Sequence, residues 1–179
     1  NYNVLVGNPT TNILSATATL TVSGSSIVST VGAWPDTVRG EAFDTFYTNG
    51  FLYTAAGAAG LKIYAITNGN ALVAHGAADT DGSARSVFVV NHKAYLADGE
   101  QGLKIFDVSD SHHPQLLGSI DTPVFARDVF VSGNFAYIAD LETGLLIVDV
   151  SNPAAPAQVA RHDTPGRTEG VQVVGGYAF

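Results

Sequence analysis

The stretch LADGEQGLKIFDVSD, Leu96–Asp110, returns at an offset of 42 as IADLETGLLIVDVSN, Ile138–Asn152. Taken alone, the first copy sets Asp98, Glu100 and Asp107 among apolar residues, as an acid–base or metal site would. Taken with its copy, the acids recur with a period, and periods of about 20–50 residues belong to repeat architectures. Around this pair the offset holds without a gap. Ala84 matches Ala126, Tyr95 matches Tyr137, Gly102 matches Gly144, Pro114 matches Pro156, and Asp121-Thr122 matches Asp163-Thr164.

The same offset places a more diverged copy at Ala42–Ser83, with Tyr53, Gly60, Leu61–Ile63 and Asp79-Thr80 in register. Forward, Val171, Val173, Tyr177 and Phe179 begin another. The expected units are therefore 42–83, 84–125 and 126–167, with a partial one at 168–179.

Each unit predicts four short strands. In the third these are RDVFV (Arg127–Val131), FAYIA (Phe135–Ala139), LLIVDV (Leu145–Val150) and AQVARH (Ala157–His162). Gly133-Asn134, the turn before Gly144 and Asn152–Pro156 separate them, and proline falls only between strands, where no ladder bond is lost. The first three strands are apolar on both faces, as a sheet covered on both sides requires. Four strands per unit of about 40–45 residues predict an all-β chain, a partial β-propeller of four-stranded blades. A parallel β-helix is the competing repeat, with shorter coils and no need for three reversals per unit.

Composition agrees with a packed β fold. Hydrophobic residues are 46% and charged residues 13%, enough apolar surface to offset chain entropy. The net charge is −8 and the eight Lys and Arg are scattered, which argues against sequence-independent nucleic-acid binding. Without cysteine there is no disulfide and no Cys-ligated metal centre. No apolar run reaches the roughly 18 residues of a membrane span. The chain also has no methionine and runs between strand-like ends, so it reads as an internal piece of a longer protein.

GLLIVDVSNP, the preceding GNFAYIAD and the closing DTPG resemble the LVIVD repeat, found in β-propeller segments of bacterial and archaeal surface or secreted proteins. The resemblance covers about 42–179 and implies an extracellular or cell-surface location. The copy at 42–83 departs from it, with Ala65 and Ala56 in place of the two Asp.

Residues 1–22 follow another pattern. Tyr2, Val4 and Val6 alternate, GNPTTN turns, and Ala16, Ala18, Leu20 and Val22 alternate against threonines. This hairpin resembles the last two strands of an immunoglobulin-like domain, with Tyr2 at the tyrosine-corner position. Residues 23–26 read as a linker, and 27–41 as the outer strand of a blade that closes the ring in the parent protein, leaving this piece with open sheet edges.

Candidate chemistry is sparse. Asp107 and Asp149 hold equivalent places in successive blades and are expected to cap the DVSN turn through backbone N–H groups. Asp98 and Asp140 are expected to do the same at the end of the second strand. Asp79 and Asp81 in DTDGS could offer oxygens to calcium, but the third ligand and distal Glu of an EF-hand loop are missing. The alternative is an inter-blade turn, and no other cofactor is expected. His112-His113 has no partner at metal-ligand spacing, and His75, His92 and His162 occupy different repeat positions.

Arg85, Arg127 and Glu169 begin successive first strands, where they could ring the channel mouth and meet a ligand. The alternative is a polar strand end. The reading is a non-enzymatic module for adhesion, recognition or scaffolding, with a protein or glycan as partner. Its rivals are a piece of a secreted propeller hydrolase or oxidoreductase with catalytic residues elsewhere, and a carbohydrate-binding propeller using Trp34 or Phe125.

Overall fold

The computed structural model describes residues 41–67 and 71–179. The expected immunoglobulin-like hairpin (1–22), the linker (23–26) and all but the last residue of the expected outer strand (27–41) lie outside the described residues. Among the described residues there is no helix; every regular element is a strand.

Three antiparallel sheets follow one another. The first holds β1 (Asp44–Thr48), β2 (Phe51–Ala55), β3 (Leu61–Ile66) and β4 (Leu72–Ala78). The second holds β5 (Ser86–Val90), β6 (Lys93–Ala97), β7 (Leu103–Asp107) and β8 (Gln115–Ile120). The third holds β9 (Asp128–Ser132), β10 (Phe135–Ala139), β11 (Leu145–Asp149) and β12 (Ala157–His162), and a short ribbon, β13 (Val173–Val174) and β14 (Tyr177–Ala178), begins a fourth. Within each sheet the strands lie in chain order.

Turn chemistry explains the boundaries. Gly133 opens the β9–β10 turn at φ 59°, the left-handed region that an L side chain enters at a cost, and the flanking strands pair in tight register from Phe135↔Ser132. Among the described residues proline stays outside the strands, as in Ser151–Pro156 between β11 and β12. The first strands start at Ser86 and Asp128, so Arg85 and Arg127 stand just before them. Arg85 N–H and Arg127 N–H nevertheless extend the ladder to the carbonyls of Ala97 and Ala139, at 2.7 and 2.8 Å.

The first strands β1, β5 and β9 neighbour one another, whereas β4, β8 and β12 lie outermost. Phe46, Phe88 and Phe130 share one repeat position and pack ring to ring along this inner line, at 4.9 and 4.8 Å between centroids. The core lies between sheets rather than within one. Tyr53, Ala55, Leu61 and Ile63 meet Val87, Val89, Leu96 and Phe106; one joint further on, Tyr95, Ala97, Leu103 and Ile105 meet Val129, Val131, Ile138 and Leu146. Both faces of the second sheet are thus covered, which is why its middle strands read as continuous apolar runs. The described sheets do not close into a ring.

Each outer pair carries a bulge at the same place. The β3–β4, β7–β8 and β11–β12 registers shift after Ile63, Ile105 and Ile147, leaving His75, Leu117 and Val159 as the extra residues. Gly76 and Gly118 follow their bulges and receive the loop of the next sheet: a Cβ on either would overlap the carbonyl oxygen of Ser111 or of Pro153.

Candidate functional site

One end of the assembly gathers the segments that enter each sheet and the turns between second and third strands. Gly57 bridges to Ala84, Gly99 to Ala126 and Leu141 to Thr168, so each turn is laced to the segment entering the next sheet. Asp98, Asp140, Arg85 and Arg127 lie on this rim, whereas Asp107 and Asp149 close the third strands at the opposite end.

Asp107 and Asp149 are Asx caps. Their Oδ1 atoms accept from the N–H groups of Ser109 and Ser151, both at 2.8 Å. The hydroxyls of Ser109 and Ser151, and after them these N–H bonds, hold both carboxyls below the ordinary aspartate range. The acids of the opening stretch therefore do not act together, because Asp98 has a different partner altogether.

Asp98 and Asp140 are not local caps, contrary to expectation. Both are fully buried, and both reach back to the segment entering their own sheet. Thr122 Oγ donates to Asp140 Oδ1 at 2.8 Å, Phe125 N–H to the same oxygen at 2.7 Å, and Val124 N–H to Oδ2 at 3.1 Å. Asp98 accepts from Thr80 Oγ at 2.7 Å, but its Oδ2 has no partner. Burial pushes the Asp98 carboxyl up, against the bond from Thr80, the charge of Lys104 and the nearby Gly82 N–H, which falls short of hydrogen-bond geometry with Oδ2. The recurring Asp-Thr pairs thus supply a hydroxyl to the buried carboxylate that ends the second strand of the sheet they lead into.

A second polar array was not visible in the repeat, because its members differ in type. Asp44, Ser86 and Asp128 occupy one register, and Ser86, 4% exposed, lies between the two carboxylates. Its Oγ is 3.0 Å from Asp44 Oδ2 and 2.6 Å from Asp128 Oδ1. Val87 N–H donates to Asp44 Oδ2 at 3.0 Å, and Val171 N–H to Asp128 Oδ2 at 2.8 Å, so Asp44 binds the following inner strand and Asp128 the segment that leads into β13. The Ser86 hydroxyl is within donating distance of both carboxylates, and its single proton serves one or the other at a time.

Burial pushes the Asp44 carboxyl up, while bonds from Val87, Ser86 and Thr45 act against it and the charge of Asp128 acts with it. The sign follows from linkage: the folded state binds this proton more tightly than the unfolded chain, so stability falls as pH rises from the ordinary aspartate value through the raised one. Thermal unfolding across mildly acidic pH should show the midpoint falling in that window. Asp44→Asn should flatten this segment of the profile, whereas Asp107→Asn should leave it in place.

Arg85, Arg127 and Glu169 do share the rim. Arg127 Nε donates to Glu169 Oε2 at 3.0 Å, and Arg167 Nε lies 3.6 Å from Glu169 Oε1 and 3.5 Å from Glu142 Oε1. Arg85 stands apart from this chain of ion pairs. Its Cζ lies 4.0 Å from the centre of the Phe43 ring and 5.3 Å from that of Phe125. Its Nε is buried without a hydrogen-bond partner. Desolvation and the like charge of Arg127 lower its proton affinity, and Glu41 opposes them.

Phe125 packs over Gly99 beside Arg85, so its ring is engaged, and Trp34 lies outside the described residues. Asp79 is 3.5 Å from Lys62, with its side chain 89% exposed. Among the described residues no three His, Asp or Glu side chains gather as a metal would require. His75 and His112 do meet across the first joint, at 3.6 Å between ring centres, with His112 Nδ1 3.0 Å from the His75 carbonyl oxygen. The bulge that turns out His75 made this pairing invisible to repeat positions.

Sheets stacked in sequence, with first strands innermost and fourth strands outermost, define a partial β-propeller of four-stranded blades that repeats at an offset of 42. The LVIVD repeat matches residues 81–122 and 125–164, so two LVIVD repeats are present. None of the curated proteins matches the chain. Among solved structures, the crystal structure of the computationally designed Ika4 protein is similar, with TM-score 0.66 and 9% identity over 83% of this chain and 88% of that one. The computationally designed Ika8 protein gives TM-score 0.60 and 10% identity over 76% of this chain. The match spans 41% of Ika8, and at these identities the likeness concerns fold alone. No helix among the described residues is long and apolar enough to cross a membrane.

Proposed function

We propose that the chain is a non-enzymatic recognition, adhesion or scaffolding module of an extracellular or cell-surface propeller, and that its rim is the binding face. One observation carries this reading. The acids that recur with the repeat are committed to the fold: Asp107 and Asp149 cap turns, Asp98 and Asp140 hold entering segments, and Asp44 and Asp128 tie inner strands. General acid–base work needs a carboxyl free to exchange its proton with a substrate. The rim arginines, by contrast, stand at strand entries where loops can differ without disturbing the sheets. The extracellular placement is supported by the resemblance of the repeats to those of surface and secreted proteins.

Binding of the chain to arrayed glycans and to immobilised surface proteins tests the reading. A saturable interaction that is lost in Arg85→Glu/Arg127→Glu supports it. Turnover of a hydrolase or oxidoreductase substrate by the chain, or binding that ignores the double variant, overturns it.

A further inference from the structure

We propose that Arg85 is an anchor for a carboxylate group on the ligand; the proposal rests on the recognition reading above. A guanidinium carries five N–H donors in one plane. Aromatic faces stabilise its charge but leave conventional hydrogen bonding unanswered, and the rings at Arg85 are those of Phe43 and Phe125. Among the described residues no carboxylate forms an ion pair with Arg85, although Glu169 serves both Arg127 and Arg167. The Nε donor is shut from water and has no acceptor, which leaves the Nη groups as the donors a ligand can reach. A carboxylate laid across the two Nη groups makes a charge-assisted pair without having to enter the space between the rings.

The geometry selects the acceptor's class. Arginine differs from lysine in presenting a rigid fork, which two oxygens of a planar carboxylate match in parallel. Flanking rings restrict the fork's orientation, so less side-chain freedom is lost on binding. Arg127 disfavours the Arg85 charge while Glu41 favours it, and with Arg127 paired to Glu169 the locality is nearer charge balance than the chain as a whole, which carries −8. An anionic ligand relieves that repulsion, and a neutral one does not. The carboxylate could belong to an acidic sugar or to a peptide terminus, which share this chemistry.

The test is an NMR titration that follows the Arg85 Nε–H signal while glucuronate or N-acetylglycine is added, with glucose and N-acetylglycinamide as neutral counterparts. A saturable shift with at least one acid and neither neutral compound is expected, and the acid acting at lower concentration identifies the source. Arg85→Lys should weaken binding about tenfold, since the charge stays and the fork is lost. Arg85→Gln should abolish it, and Arg161→Gln, whose Nε normally donates to the Thr143 carbonyl, should not. Thermal unfolding of each variant shows that it is folded. No shift with either acid, equal shifts with the neutral compounds, or unchanged affinity in Arg85→Lys and Arg85→Gln overturns the anchor. If glycan or protein binding at the rim survives Arg85→Gln, the anchor falls while the recognition reading stands.

Discussion

Asp140→Ala is expected to lower stability by about 3 kcal/mol, because three donors, that of Thr122 buried and those of Val124 and Phe125 partly buried, lose their acceptor at once. The donors come from Thr122, Val124 and Phe125, all in the segment that enters the third sheet. That segment also supplies Ala126, which exchanges bonds with Gly99 of the second sheet at 2.9 and 3.2 Å. Releasing it therefore loosens two sheets, and the loss should appear in urea unfolding as an earlier midpoint and in hydrogen exchange as faster exchange at Val124 and Phe125. Asp140→Asn keeps one oxygen but sets an amide group among donors, so about half of the effect should remain. Asp98→Asn should behave oppositely. With one oxygen already without a partner and its carboxyl pushed up by burial, a neutral amide there removes a desolvation penalty, and the midpoint near neutral pH should hold or rise. Equal losses in the two Asn variants would refute this account of both sites.

The contrast between these aspartates also shows what the sequence could disclose. An offset of 42 and turn residues at fixed places were enough for four strands per unit and, in the third unit, for strand bounds to within one residue, because turns and apolar runs are local properties. Asp107 and Asp149 were equally legible, since each binds the N–H of the second residue after it. Asp98 and Asp140 look the same on the page, yet the N–H groups that follow them turn inward to backbone carbonyls, as Gln101 does to the Asp98 carbonyl. Their carboxylates are left to the earlier segment that leads into the same sheet. The available signal was the joint recurrence of Asp-Thr with the later Asp, absent where Ala56 replaces it. The Asp44, Ser86 and Asp128 array was hidden for a different reason: a repeat search scores identity, whereas a hydrogen-bond ladder needs alternating partners. The rim arginines were legible as a register, but the two phenylalanines beside Arg85 come from different repeat positions and meet only through folding.

Gly118→Val is expected to separate the second and third sheets, at a cost of about 3 kcal/mol or more. Gly118 follows the bulge in β8, and the loop between β11 and β12 lies directly on it. An added Cβ would overlap the Pro153 carbonyl oxygen and sit 3.1 Å from the Ala154 Cα. Both are backbone atoms, so no rotamer change relieves the clash. Moving the loop would draw β11 away from β8 and open the apolar joint that Ile105 and Leu146 help to fill. Small-to-large changes in a packed core usually cost about 1–3 kcal/mol because side chains yield, and a backbone obstacle exceeds that range. Gly133→Ala supplies the comparison. It lies in open space, so only its left-handed backbone opposes the methyl group, at about 1 kcal/mol. Ala160 tests the reason rather than the size: it follows the matching bulge in the third sheet and already carries a Cβ. It is exposed, so Ala160→Gly should change the unfolding midpoint little. Hydrogen exchange should then locate the Gly118→Val damage at β8 and Asn152–Ala155, with β2 and β3 of the first sheet unaffected. Uniform loss of protection across all three sheets would show instead that the blades unfold as one unit.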